Sequence, residues 1–83
     1  MAFDITFKKS VRKDLSKIPK ALVARILDKI DEELSDGAES FPVLKGEFAG
    51  LRKFRVGDYR VIYTILGSDV LVLHIAHRKD VYR

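Results

Sequence analysis

Four cations fall within the last 31 residues of this 83-residue sequence: Lys53, Arg55, Arg60 and Arg78. With Gly57-Asp58 as a two-residue turn, the segment around them reads as a hairpin that pairs Val56 with Tyr59, Arg55 with Arg60, Phe54 with Val61 and Lys53 with Ile62. Side chains alternate between the faces of a strand. Lys53, Arg55, Arg60, Ile62 and Thr64 therefore share one face, and Phe54, Val56, Tyr59, Val61, Tyr63 and Ile65 form an apolar wall on the other. Arg55 and Arg60 are directly opposed, and like charges so placed repel. No acidic residue occupies a matching position to relieve them. Such a surface suits an anion, above all a phosphate, whose oxygens the guanidinium fork matches bidentately.

Other chemistries are excluded by residue type. The sequence has no cysteine, so thiolate nucleophiles, disulfides and cysteine-ligated zinc are absent. Its two histidines, His74 and His77, are three apart on a strand and point to opposite faces, so they cannot share a metal. His77 reads as a structural histidine. No glycine-rich phosphate loop occurs, and Gly46 and Gly50 are too isolated to make one. Asp28, Asp31, Glu32 and Glu33 read as the solvated face of a helix. Neither a metal nor a cofactor is expected. A basic site of this kind retains one reaction, cleavage of RNA, because the substrate's own 2′-hydroxyl is the nucleophile. The protein then has to hold the phosphate in line, stabilise added negative charge and manage protons. Tyr82, four residues after Arg78, could stack on a base or touch the reacting groups; by spacing it serves equally as an aromatic packed at the core edge.

The elements that must position these residues follow from periodicity. Phe3–Phe7 alternates and reads as a strand. Lys8–Ile18 switches to helical spacing, with Val11, Leu15 and Ile18 on one stripe and Lys9, Arg12, Lys13 and Lys17 on the other. Pro19 suits the first turn of a second helix, expected from about Lys20 to Leu34 and stopped by Asp36-Gly37. Leu22, Ile26, Ile30 and Leu34 give that helix a continuous stripe, widened by Val23 and Leu27. Ala38–Gly50 reads as a connection docked by Val43 and Leu44, and three strands follow: Leu51–Val56, Tyr59–Leu66 and Val70–His77. The second hairpin admits two registers. A two-residue turn pairs Leu66 with Asp69 and puts Leu71, Leu73 and Ile75 on the Arg60 face. A three-residue turn pairs Leu66 with Val70, sends those residues to the covered wall and leaves Val72, His74, Ala76 and Arg78 beside Arg60. The second keeps the wall apolar and is the expected register. The fold class is α+β: an N-terminal strand, an antiparallel helix hairpin and a three-stranded antiparallel meander, with the helices on one face of a small sheet.

At 9.5 kDa the chain has room for one small domain, taken as residues 1–83. Hydrophobic residues at 47% and charged ones at 34% place it among globular rather than disordered chains. The net charge is +4, but residues 1–20 carry +4, residues 21–50 carry −4 and residues 51–83 carry +4, a layout that offers one surface to a polyanion and another to a different partner. Apolar runs fall far short of the roughly 20 residues of a membrane span. MAFDITFKKS lacks an apolar signal core, so a cytoplasmic protein with no membrane partner is expected.

FRVGDYRVIY (Phe54–Tyr63), followed by HRKDVYR (His77–Arg83) after a basic helix hairpin, resembles the RelE/ParE superfamily of bacterial toxins, and the RelE branch most closely. The resemblance spans essentially the whole chain, including the order strand, helix, helix, three strands. It implies the toxin of a toxin–antitoxin pair: an endoribonuclease that enters the ribosomal A site and cuts mRNA by 2′-hydroxyl attack, leaving a 2′,3′-cyclic phosphate and a 5′-hydroxyl. By position, Arg60 would stabilise the charged transition state, and Arg78 would do likewise and assist the leaving group. Tyr82 would orient the nucleotide or take part in proton transfer, and Lys53 and Arg55 would bind the phosphate. The family pattern has lysine at both of the last two positions. Arginine at 55 is effectively always protonated, which leaves Lys53 or Tyr82 as the general base. Lys9, Arg12, Lys13 and Lys17 would meet ribosomal RNA phosphates. The sequence ends at Arg83, without the additional C-terminal helix that some relatives carry and use in antitoxin control. Partners implied are a RelB-like antitoxin, the ribosome with its mRNA and, through the antitoxin, operator DNA. Two other readings fit the same fold: a ParE-like inhibitor of DNA gyrase, and a catalytically dead half of a repressor complex.

Overall fold

The computed structural model describes residues 3–44 and 50–81. Strand β1 (Asp4–Phe7) is followed by helices α1 (Lys9–Ser16) and α2 (Lys20–Gly37), a 3-10 turn (Ala38–Ser40), strands β2 (Arg52–Val56), β3 (Tyr59–Leu66) and β4 (Asp69–His77), and a single helical turn, α3 (Arg78–Val81). The four strands form one sheet in the order β1-β4-β3-β2. The last three make an antiparallel meander, and β1 joins it parallel to β4, so the sheet is mixed. The expected α+β architecture is the one found. None of the helices among the described residues is long and apolar enough to cross a membrane.

The helices cover one face of the sheet because each has a stripe it cannot bury alone. Val11 and Ile18 from the α1 segment and Ile26, Ile30 and Leu34 from α2 meet Phe54, Val56, Val61 and Tyr63 of the wall. Two details depart from the periodicity. Helix α1 ends at Ser16 rather than Ile18, because Lys17 and Ile18 donate to Asp14 and Leu15 in tighter bonds that close its last turn. Pro19 then caps α2 from outside, its carbonyl accepting from the N–H groups of Leu22 and Val23. Leu22, placed on the buried stripe by its spacing, is 38% exposed: it lies in the first turn, where α2 projects towards the tip of the β2–β3 hairpin.

Below α2, the connection is tied down by hydrogen bonds. The Tyr63 hydroxyl, fully buried, donates to the Ala38 carbonyl at 2.6 Å. Burial pushes its pKa up to about 12, against the opposing pull of the Arg52 guanidinium. Arg52 Nη1 donates to the Phe41 carbonyl at 2.7 Å and the Glu39 carbonyl at 3.1 Å. Phe41 packs edge-on against Phe54, with centroids 5.0 Å apart. Val43, expected to dock on the core, is instead 47% exposed and forms a bridge with Arg52 at the outer edge of β2. Phe41 takes the docking role.

The second hairpin combines both registers that the sequence allows. Its turn has two residues, Gly67-Ser68, and pairs Leu66 with Asp69, Ile65 with Val70 and Tyr63 with Val72. A β-bulge then inserts Leu73, so Ile62 pairs with His74, Val61 with Ile75 and Arg60 with Ala76. Val70 and Val72 therefore join the buried wall, and Leu71 and Leu73 do not, contrary to the three-residue turn. Beyond the bulge the expected pairing holds. Gly57 and Gly67 both have φ near +60°, and each is followed by a residue with negative φ, the pattern of a type II′ turn.

Candidate active site

The face turned away from the helices is built in rows across three strands. One row is Lys53, Ile62 and His74; the next is Arg55, Arg60 and Ala76. Arg55 and Arg60 are opposed as the hairpin arithmetic requires. The ladder runs one step further, where Arg78 donates its backbone N–H to the Asp58 carbonyl at 2.8 Å. Arg78 thus begins α3 at the end of β4 nearest the Arg55–Arg60 pair. Arg55 and Arg78 are exposed, while Lys53 and Arg60 are half-buried, with Arg60 Nε fully enclosed. The ion pairs among the described residues are Lys29–Glu32 at 3.6 Å and His74–Asp14 at 2.9 Å, and neither neutralises Lys53, Arg55 or Arg78. The structure thus brings Lys53, Arg55 and Arg60 together in adjacent rows and leads Arg78 to their edge. Tyr82 lies outside the described residues.

The cations Lys9, Arg12, Lys13 and Lys17 are all exposed. Lys9 and Arg12 rim an apolar groove of about 490 Å³ floored by Val11, Leu15 and Leu27 and flanked by Phe7. Lys17 instead lines a cavity of about 380 Å³ beside β4, together with Asp14, Tyr59, His74 and His77.

That second cavity contains what the sequence reading missed. The Asp14 carboxylate accepts from His74 Nδ1 at 2.9 Å and from the Ile75 backbone N–H at 3.2 Å. The bulge and the short β1 create this contact. Strand β1 pairs with β4 only as far as Val72, so the Ile75 amide faces α1 instead of a strand. Sixty residues separate the pair, and the only signal was an aspartate spaced i+3 from Val11 and i−4 from Ile18, beside the apolar stripe of the helix. His77 points away from His74, edge-on to Tyr59 at 5.3 Å, and its Nδ1 accepts from the Lys79 N–H. Among the described residues no three acidic or histidine side chains are grouped so as to hold a metal ion.

The family model for the ParE toxin of type II toxin–antitoxin systems matches residues 5–82. The chain belongs to this family, within the RelE/ParE superfamily. The toxin is similar to toxin RelG of Mycobacterium tuberculosis, with 31% identity over 86 residues that cover 100% of this chain and 99% of that one. Its fold is similar to that in the RelBE2 toxin–antitoxin complex of the same organism, with a TM-score of 0.85 and 26% identity over 96% of this chain and 95% of that one. The RelE–RelB complex of Pyrococcus horikoshii gives a TM-score of 0.71 and 32% identity over 96% and 99% of the two chains. The resemblance carried by FRVGDYRVIY and HRKDVYR is therefore borne out for the superfamily, and the protein is a type II toxin on the RelE/ParE fold.

Proposed function

We propose that this toxin is a ribosome-dependent endoribonuclease that cuts mRNA in the A site and so blocks translation. The observation that carries the reading is the opposed pair Arg55–Arg60, with Lys53 in the adjoining row and Arg78 at its end. Guanidinium groups on facing strands, with a lysine in the adjoining row, suit the oxygens of a phosphate. Lys53 and Arg55 hold the scissile phosphate, Arg60 takes up the charge that develops on it, and Arg78 supports the departing oxygen. The 2′-oxygen forms a bond to phosphorus as its proton leaves. The bond from phosphorus to the 5′-oxygen breaks, and that oxygen takes the electron pair and a proton. Tyr82 orients the nucleotide or shares in proton transfer. Lys9, Arg12, Lys13 and Lys17 contact ribosomal RNA phosphates without reading sequence. A RelB-like antitoxin neutralises the toxin, in keeping with the RelE–RelB complexes among its structural neighbours, and the pair binds operator DNA through the antitoxin.

Cleavage on programmed ribosomes tests this reading. An mRNA with a single deoxynucleotide at the scissile position is expected to resist the toxin, and Arg60→Ala is expected to abolish both cutting and growth arrest on induction. Cutting of the deoxy substrate would overturn the mechanism. The ParE family match supports a second reading, inhibition of DNA gyrase. Loss of supercoiling by purified gyrase at low toxin levels, with transcripts left intact, would decide for it.

A further inference from the structure

The cation face has phosphate-holding groups, but its described arginines cannot accept a proton. The one imidazole on that face is His74. It shares a row with Lys53, and the two flank Ile62, with backbones roughly 10 Å apart at ordinary strand spacing. Arg60 is its diagonal neighbour, at about 7–8 Å. The His74 side chain is half exposed, whereas Asp14 behind it is 16% exposed. The same Asp14 oxygen, Oδ2, meets both His74 Nδ1 and the Ile75 backbone N–H. A backbone N–H can only donate, so this oxygen is an acceptor and the Nδ1 carries the shared proton. That fixes the tautomer of the neutral ring and leaves Nε2 with a lone pair. A carboxylate that orients an imidazole through one nitrogen so that the other can take a proton is a recurrent device of general-base catalysis. The remaining ionisable groups at this cavity are Lys17 just after α1, Tyr59 from β3 and His77 from β4.

We infer that His74 is the proton acceptor for the attacking 2′-hydroxyl, with Asp14 as the residue that positions its ring; the inference rests on the ribonuclease reading above. An RNA linkage lying over Ile62 and Arg60 has Lys53 and Arg55 on one side and His74 on the other. His74 Nε2 takes the proton of the 2′-hydroxyl as the 2′-oxygen bonds to phosphorus. The phosphorus–O5′ bond breaks, its electron pair goes to the 5′-oxygen, and that oxygen takes a proton from water. His74 returns its proton to solvent afterwards. The reaction is a transesterification, so no water is consumed. The assignment supplies a base where arginine at 55 removes one.

The experiment is single-turnover cleavage of mRNA on ribosomes by the wild-type toxin, His74→Ala and His74→Gln, each with and without added imidazole. His74→Ala is expected to cut about 100-fold more slowly or worse, with unchanged ribosome binding, and free imidazole should restore a large part of its rate. Imidazole should leave the wild type unaffected. His74→Gln keeps a polar side chain and is expected to remain slow. If the wild type cuts and His74→Ala matches it within a few-fold, the assignment is wrong and the ribonuclease reading stands. A slow His74→Ala that imidazole does not rescue and that binds ribosomes poorly also overturns it, since the side chain then serves binding or structure. A wild-type toxin that leaves mRNA uncut on ribosomes removes both readings together.

Discussion

Arg55 and Arg60 stand at paired positions of β2 and β3, so their repulsion acts against folding. Arg55→Thr, which swaps an exposed charge for a good strand former, is expected to raise stability by about 0.2–1 kcal/mol while slowing cleavage. Urea titration and the ribosome assay measure the two halves of that trade. Tyr63 has the opposite character. Its hydroxyl serves the fold, and Tyr63→Phe leaves the Ala38 carbonyl without that donor, at a cost of about 1 kcal/mol. Its pH behaviour follows from a pKa of about 12 when folded against 10.0 when exposed. The unfolded chain loses this proton first, so the stabilisation is intact below pH 10 and drains away as pH rises towards 12. Denaturation midpoints of the wild type should therefore fall more steeply across that window than those of Tyr63→Phe.

At the level of elements, the bulge at Leu73 decides which side chains share the site. The turn geometry of Gly67-Ser68 fixes one register, and the need to bury Ile75 fixes the other. One inserted residue satisfies both. Without the bulge the short-turn register would pair Leu73 with Ile62 and turn Ile75 out beside Arg60; deleting Leu73 instead joins the two registers directly, keeps Ile75 opposite Val61 on the wall and should leave the sheet folded. Ile75→Ala, which empties that buried position, is expected to cost about 2–5 kcal/mol, enough to leave a domain of this size largely unfolded, which circular dichroism would report. Gly67→Ala should cost about 1–2 kcal/mol, because φ is +63° there and the space around its Cβ position is open, so the penalty is backbone strain alone. The β2–β3 hairpin was legible in the sequence because glycine, a two-residue turn and strict alternation agree over Phe54–Tyr63. The β4 register was legible only in part. Val70-Leu71-Val72-Leu73 is apolar throughout, and such a run does not reveal where its phase breaks. Val43 misled for a related reason: an apolar residue in a connection can pair at a strand edge as readily as it can pack.

Over the whole molecule, charge is separated by surface. The acidic residues of α2 (Asp28, Asp31, Glu32 and Glu33) are exposed on the helical side, and the cation rows occupy the opposite face of the sheet. Such polarity orients the molecule as it approaches a polyanion. Reversing the charge of Lys9, Arg12 and Lys13 is expected to weaken ribosome binding, and to flatten its dependence on salt by about 0.7–0.9 log units per decade for each phosphate no longer neutralised. The chemical step on bound complexes should not change. Filter binding across a salt series separates the two effects. The cation rows were legible because a period of two places them, whereas the Asp14–His74 contact spans 60 residues and depends on how far β1 runs beside β4. No local pattern encodes that distance.

The same short β1 has a consequence for solubility. A strand whose outward amides lack partners invites a second copy to zip onto it. Here β4 outruns its neighbour, and Asp14 sits on the Ile75 amide with a fixed negative charge. A carboxylate in that seat repels the carbonyl row of an incoming strand and occupies the donor it would seek. Asp14 is in this sense a guard against self-association. Its replacement by alanine should open the way to dimers and higher aggregates as protein concentration rises, visible by sedimentation before any loss of helix or strand content.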